Sequence, residues 1–199
     1  MMILYRILRL IAFIIFRPLF RIRVRGYENL PKEGGYIICA NHKSGWDPIF
    51  LAISIRKPIK FMAKKELFEN GFLKALLKGL GAFPVDREGR DLKSLKNSIK
   101  LLKDENVLGI FPEGTRTKNI ARENMKEGVA YIGLKAKSNI VPIEIISTYR
   151  PFKKTYININ KVIEIDKYQN LKSKAAMVEI TDKIYKGIYK EKLEVLEKK

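Results

Sequence analysis

Four short apolar runs, Tyr36 to Ala40, Ile59 to Ala63, Val107 to Phe111 and Ile140 to Ile146, are separated by stretches of helical periodicity. This alternation limits the possible folds more than any other property of the chain. Apolar runs this short, bounded by turn residues, read as buried strands. Between the second and third runs, Leu92, Leu95, Ile99 and Leu102 recur at the spacing of one helix face. Strands alternating with helices predict an α/β class domain with a largely parallel central sheet flanked by helices. The length of 199 residues suits one core, and no Pro-, Gly- or Ser-rich linker or internal repeat divides it. The expected organisation is a helix over residues 1–18 and a single domain over 19–199. The tail, 172–199, reads as a charged surface helix. In such a sheet the turns after the strands gather at the strands' C-terminal ends, where open α/β folds place their sites.

The first run leads directly into Asn41-His42-Lys43-Ser44-Gly45-Trp46-Asp47. His42 is the only histidine, and so the only side chain whose ordinary pKa suits proton transfer near neutrality. Asp47 stands five positions on. On a helix that spacing would turn the two side chains roughly 140° apart, so pairing them requires a bend, as a strand-to-helix turn provides. Asp47 followed by Pro48 also makes a good N-cap and first helical turn, which by itself could explain both residues. Cys39, three residues before His42, falls within the apolar run and reads as a small buried hydrophobe. Ser44 lies in no G-x-S-x-G elbow, so a covalent enzyme intermediate is not expected.

Three further segments share the pattern of an apolar stretch running into polar residues. They are Gly81-Ala82-Phe83-Pro84-Val85-Asp86-Arg87, Phe111-Pro112-Glu113-Gly114-Thr115-Arg116, and Val141-Pro142-Ile143. Taken singly, each is an ordinary strand-to-turn transition. In this order, His-x-x-x-x-Asp, Gly-x-x-x-x-x-Arg, Phe-Pro-Glu-Gly-Thr-Arg and Val-Pro-Ile resemble the four motifs of the glycerolipid acyltransferases, and most of all those of the bacterial 1-acylglycerol-3-phosphate enzymes. The resemblance spans Asn41 to Ile143. It departs from the family after Arg116, where Thr117 to Asn124 is short and lacks a glycine often found there.

The resemblance implies transfer of an acyl chain from a thioester, acyl carrier protein or coenzyme A, to the sn-2 hydroxyl of lysophosphatidic acid. Such a step needs a base for the hydroxyl proton and a cationic grip on the acceptor phosphate. His42 is the candidate base, with Asp47 orienting it and stabilising the imidazolium. Arg87 and Arg116 match the family's arginines, whose planar forks suit phosphate, and Lys64 matches a lysine often found between the first two motifs. Glu113, Gly114, Thr115 and Pro142 complete the substrate-binding set that the motifs imply. A related acyltransferase with another acceptor is the nearest alternative reading. A non-catalytic lipid- or nucleic-acid-binding protein would use the chain's charge but has no need of the His42 and Asp47 pair.

The formal net charge of +19 favours anionic partners: anionic lipid, an acidic carrier protein, or nucleic acid. No zinc-finger spacing, RNP-like motif or helix-turn-helix pattern is present, so nucleic acid is not expected as a partner. From Met1 to Phe16 the chain is nearly all apolar apart from Arg6 and Arg9, and Arg17-Pro18 closes the stretch. The uninterrupted run from Leu10 to Phe16 is far short of the roughly 20 residues of a spanning helix. On a helix Arg6, Arg9 and Arg17 fall within an arc of about 80°, which predicts an amphipathic membrane-associating helix in one leaflet with its arginines among the headgroups. A signal peptide, which the lack of a small-residue cleavage site disfavours, a tilted spanning helix and a helix buried in the protein are the alternatives. The expected location is the cytoplasmic face of the cell membrane, peripheral or monotopic. One histidine and one cysteine cannot supply the usual nitrogen and sulfur ligands of a zinc site, so neither metal nor resident cofactor is expected.

Overall fold

A computed structural model describes residues 2–86 and 91–197. Helix α1 (Met2–Leu19) leads into β1 (Ile22–Arg25), then β2 (Tyr36–Ala40), α2 (Asp47–Ser54), β3 (Ile59–Lys64), α3 (Gly71–Gly79) and β4 (Phe83–Val85). The second half runs α4 (Leu92–Lys103), β5 (Val107–Ile110), α5 (Gly128–Ala136), β6 (Ile140–Ile146), β7 (Thr155–Ile159), α6 (Ser173–Ile188) and α7 (Lys190–Glu197). The seven strands form one sheet in the order β1-β7-β6-β2-β5-β3-β4. Every neighbouring pair is parallel except β6 with β7. The expected parallel α/β sheet is therefore present, and the reversal at β7 lets a short connection replace a crossover.

The centre of the sheet is apolar on both faces because helices cover both. Ile37, Cys39, Leu108 and Ile140 pack against α5 and α6, while Ile38, Ala40, Val141 and Ile143 pack on the side of α2. Residues of opposite parity within one strand thus serve opposite cores, as the period of two dictates. The tail differs from its expected surface role. In α6, Ala176, Ile180, Ile184 and Ile188 are fully buried and run along one helix face into the first core. The abundance of lysine on the other faces hides that stripe in the composition.

Helix α1 also differs from its expected disposition. Its Tyr5, Ala12 and Phe16 pack toward the protein, and the Tyr5 hydroxyl accepts from the Ile59 N–H at 3.4 Å. Arg9 does not reach outward. Its guanidinium donates to the Ala52, Arg56 and Ile55 carbonyls at 2.8, 3.1 and 2.7 Å, capping the C-terminus of α2, where free carbonyls and the helix dipole favour a cation. Arg6 and Arg17 remain exposed, beside an outer face of Ile3, Ile7, Leu10, Ile11 and Ile14 that is also exposed. Among the described residues no helix is long and apolar enough to cross a membrane.

Candidate active site

Strand β2 ends at Ala40, and the chain turns through Asn41 to Gly45 before α2 begins at Asp47. Buried Asn41 anchors that turn by pairing with the β6 backbone: its Oδ1 accepts from Ile145 N at 2.7 Å and its Nδ2 donates to Ile145 O at 3.0 Å. Asp47 is the first residue of the helix and not its cap. Its fully buried carboxylate points back over the turn, where Oδ2 accepts from the Lys43 and Ser44 N–H groups at 2.8 Å each. The same oxygen lies 3.0 Å from His42 Nδ1. A carboxylate can only accept, so the ring proton sits on Nδ1 and Nε2 is left as the basic nitrogen. Nε2 has no protein partner among the described residues, and 12% of the His42 side chain is exposed. The Phe111 ring stacks on the imidazole with centroids 4.1 Å apart.

The turn after β5 is stitched to His42 from both sides. His42 N donates to Glu113 Oε2 at 2.7 Å, and Thr117 N donates to His42 O at 2.9 Å. Within this turn Gly114 adopts φ +70°, the left-handed region that favours glycine, and the movable end of the Lys126 side chain lies against it. Thr115 and Arg116 are exposed on the same turn. Lys64 is exposed at the end of β3, with its ammonium 3.4 Å from Glu66. Arg87 lies outside the described residues.

Two residues of the expected substrate-binding set, Glu113 and Pro142, are buried and held by contacts within the protein. Glu113 is buried and its carboxylate is occupied by the His42 N–H and by the Tyr189 hydroxyl, which donates to Oε1. Burial pushes its carboxyl upward from the usual range, and those donors, with the charges of His42 and Lys43, pull it back. Through these two bonds it shapes the turn. Pro142 is buried in the middle of β6, paired in register with Cys39. It packs against Gly187 of α6, where a Cβ would meet the proline at 2.5 Å. The Val-Pro-Ile segment thus seats α6 on the sheet. Cys39 is fully buried, and desolvation pushes its thiol upward, which disfavours a thiolate nucleophile.

A cavity of about 290 Å³ opens beside this turn, with Met62, Leu95, Ile110, Phe111, Val129 and Ile132 among its apolar lining. Phe111 is shared between the cavity and the imidazole stack. At its polar edge Asp91 caps α4, accepting from Ser94 N at 2.8 Å and from the Ser94 hydroxyl at 2.5 Å. The Ser94 hydroxyl first, then the Asp86 N–H at 2.8 Å and the Ser94 N–H, hold the Asp91 carboxyl down to about 2. Sequence reasoning did not find Asn41, Tyr149 or Tyr189, because their partners stand 104, 102 and 76 residues away along the chain. Among the described residues no group of three histidine, cysteine, aspartate or glutamate side chains is placed to hold a metal ion.

A sequence model of the acyltransferase family matches residues 21–146, which include every one of the four motifs. The chain belongs to the acyltransferase family. Among relatives of this family member, the 1-acyl-sn-glycerol-3-phosphate acyltransferase of Bacillus subtilis is 44% identical over 123 residues, covering 61% of this chain and 60% of the relative. The enzyme of the same name from Streptococcus pneumoniae is 37% identical over 123 residues, covering 59% of this chain and 45% of the relative. The matched region thus spans about half to three-fifths of those two relatives. The crystal structure of the 1-acyl-sn-glycerophosphate acyltransferase of Thermotoga maritima superposes with a TM-score of 0.65 at 24% identity, covering 89% of this chain and 73% of that one, and has the same fold.

Proposed function

We propose that this chain transfers an acyl group from a thioester to the free sn-2 hydroxyl of lysophosphatidic acid, giving phosphatidic acid in phospholipid synthesis. The observation that carries the reading is the His42 and Asp47 pair, 3.0 Å apart, with Nε2 unpartnered among the described residues. The acceptor hydroxyl gives its proton to Nε2 as its oxygen attacks the thioester carbonyl. The tetrahedral intermediate then collapses, the carbon–sulfur bond breaks, and the proton on Nε2 passes to the departing thiolate. The Asp47 carboxylate offsets the imidazolium charge between the two transfers.

Arg116 is suited to the acceptor phosphate because it is exposed on the turn bonded to the His42 backbone, and Lys64 and Arg87 add positive charge by their motif positions. The apolar cavity behind Phe111 is suited to the acyl chain. Supporting the acceptor assignment are the names of the two relatives. A free-thiol assay tests it, with acyl-coenzyme A or acyl carrier protein as donor and lysophosphatidate in detergent. Thiol release that requires lysophosphatidate supports the reading; release with glycerol phosphate or another lysolipid alone would move it to a different acceptor. Arg116→Ala should raise the acceptor KM by about tenfold or more, the worth of a charge-assisted bond to phosphate, with kcat changed little. An unchanged KM would place the phosphate elsewhere. Leu95→Trp, which fills the cavity, should lower kcat/KM for long-chain donors while sparing short ones. Equal loss for all donor lengths would show that the acyl chain lies elsewhere.

The same reading places the protein on the cytoplasmic membrane surface, held by the outer face of α1. The exposed Ile7, Leu10, Ile11 and Ile14 form an apolar stripe edged by Arg6 and Arg17, and an open groove of about 410 Å³ at the end of α1 adds Arg21 and Arg23. Apolar insertion beside guanidinium groups suits an anionic interface. Deleting α1 would also remove Tyr5, Phe16 and Arg9 from the protein's own packing, so point changes on the outer face are the cleaner test. Ile7→Gln with Ile14→Gln should release the protein from sedimented phosphatidylglycerol vesicles without lowering its Tm. Retention on the vesicles would put the anchor elsewhere.

A further inference from the structure

We infer that two tyrosine hydroxyls outside the four motifs, those of Tyr149 and Tyr189, position His42, each through one carboxylate: Tyr149 through Asp47 and the ring, Tyr189 through Glu113 and the backbone. The inference rests on the acyl-transfer reading for its kinetic consequences and on geometry alone for the positioning. Both tyrosines lie beyond residue 146, where the family match ends.

Tyr149 donates to Asp47 Oδ1 at 2.8 Å, the oxygen that His42 does not use. Asp47 thus has both oxygens engaged: Oδ1 by Tyr149, and Oδ2 by His42, Lys43 and Ser44. A carboxylate held at both oxygens cannot rotate about its last torsion, so the imidazole that it holds is fixed as well. The tyrosine is itself held in place. It adopts φ +56°, the left-handed region that a bulky side chain occupies only when its surroundings require it. Its N–H donates to the Ser147 hydroxyl at 2.9 Å, which in turn bonds the Thr155 hydroxyl at 2.7 Å. The ring stacks near-parallel on Phe50, with centroids 6.1 Å apart, and Phe50 belongs to the helix that Asp47 opens.

Tyr189 follows α6 and is 1% exposed. Its hydroxyl donates to Glu113 Oε1, leaving Oε2 for the His42 N–H. Through this bond the C-terminal segment holds the turn that carries Arg116. The arrangement has a second tie: Glu144 of β6 accepts from Glu191 N at 2.9 Å and Lys192 N at 3.4 Å, fixing the start of α7 just beyond the tyrosine. Burial and the adjacent carboxylates push both phenols upward, so both stay protonated as donors across the working pH range.

The two roles predict different kinetic signatures. Tyr149→Phe removes the donor to Asp47 Oδ1 and so loosens the carboxylate, and the ring with it, about the Oδ2 contacts that remain; kcat should fall about tenfold with both KM values within twofold of native. Tyr189→Phe loosens the Glu113 turn, so the acceptor KM should rise severalfold with a smaller change in kcat. His42 being the only histidine, its imidazole gives one assignable set of nitrogen resonances in a ¹⁵N-histidine-labelled sample. The native protein should show a single Nδ1–H tautomer. Tyr149→Phe should show tautomer exchange or a lost Nδ1–H signal, and Tyr189→Phe should leave the tautomer intact. A purely structural role would lower Tm without moving either the tautomer or the split between kcat and KM. If a phenylalanine variant does not fold, Ser147→Ala decides for Tyr149: it removes the hydroxyl that holds the Tyr149 backbone, which weakens the bond from Tyr149 to Asp47, and should give the same kcat loss in smaller measure. A native tautomer and native kcat in Tyr149→Phe, or in Ser147→Ala if that variant is needed, would overturn the Tyr149 assignment. An unaltered acceptor KM in folded Tyr189→Phe would overturn the other. Failure of the acyl-transfer reading itself is distinguishable, because native protein would then release no thiol while the tautomer measurement still reports on Tyr149.

Discussion

His42→Ala should lower acyl-dependent thiol release by about 10²- to 10⁴-fold, the usual contribution of a positioned general base. The cause is specific: no other group near the site has an ordinary pKa suited to taking a hydroxyl proton near neutrality, since His42 is the only histidine and Cys39 is buried with its thiol pushed upward. The fold should survive, because the buried Asp47 carboxylate keeps its Lys43, Ser44 and Tyr149 donors when the ring and its stack on Phe111 are removed. Measuring thiol release beside the unfolding transition separates the two effects. A variant that keeps full turnover would remove His42 from the mechanism. A variant that unfolds would show that the ring's packing against Phe111 matters more to stability than its partial exposure suggests.

Asp47→Asn should cost a comparable factor in kcat, between about 10²- and 10⁴-fold, with the acceptor KM little changed. Asparagine is the informative replacement because the site can accommodate it. Its carbonyl oxygen can keep the three contacts to Lys43 N, Ser44 N and His42 Nδ1, and the Tyr149 hydroxyl can turn to accept from the new amide. What disappears is the negative charge that offsets the imidazolium. Asp47→Ala would instead strip the Lys43 and Ser44 N–H groups and the Tyr149 hydroxyl of their shared acceptor and would confuse folding with catalysis. A kcat within a few-fold of native in Asp47→Asn would mean that Asp47 orients the ring without contributing charge.

Much of the scaffold could be read from the chain. Of the four apolar runs, those that became β2, β5 and β6 are buried almost throughout, as central strands between two helical layers are, while β3 is buried only at Ile59 and kept its apolar run with Lys60 and Lys64 among it. The strands that escaped notice lie toward the edges of the sheet. Strand β1, Ile-Arg-Val-Arg, alternates with arginine, and β4, Phe-Pro-Val, is an edge strand only three residues long with a proline at its centre, too short for a run of apolar residues to mark it. Strand β7 alternates polar and apolar residues and runs against β6, so it lacks the signature of the parallel strands. The arginine arc on α1 was real as a spacing, but Arg9 left it for the carbonyls at the end of α2, a contact that helical periodicity does not encode.

Within the site the division is sharper. His42, Asp47 and the Glu113 to Arg116 turn were identifiable from sequence because each is a local signal: a base and its partner on one bend, and a glycine-bearing turn directly after a strand. Local geometry is dictated by neighbouring residues through backbone sterics and short-range hydrogen bonds. What only the tertiary structure decided is which groups satisfy the remaining oxygen of each carboxylate. Tyr149 lies 102 residues from Asp47, and Tyr189 lies 76 residues from Glu113. Any of the nine tyrosines could serve such a purpose by composition. The two that do are selected by where β6 and α6 end once their apolar faces are buried. A buried carboxylate must be satisfied, but the rule names no partner; the packing of the sheet and its helices brings one within reach.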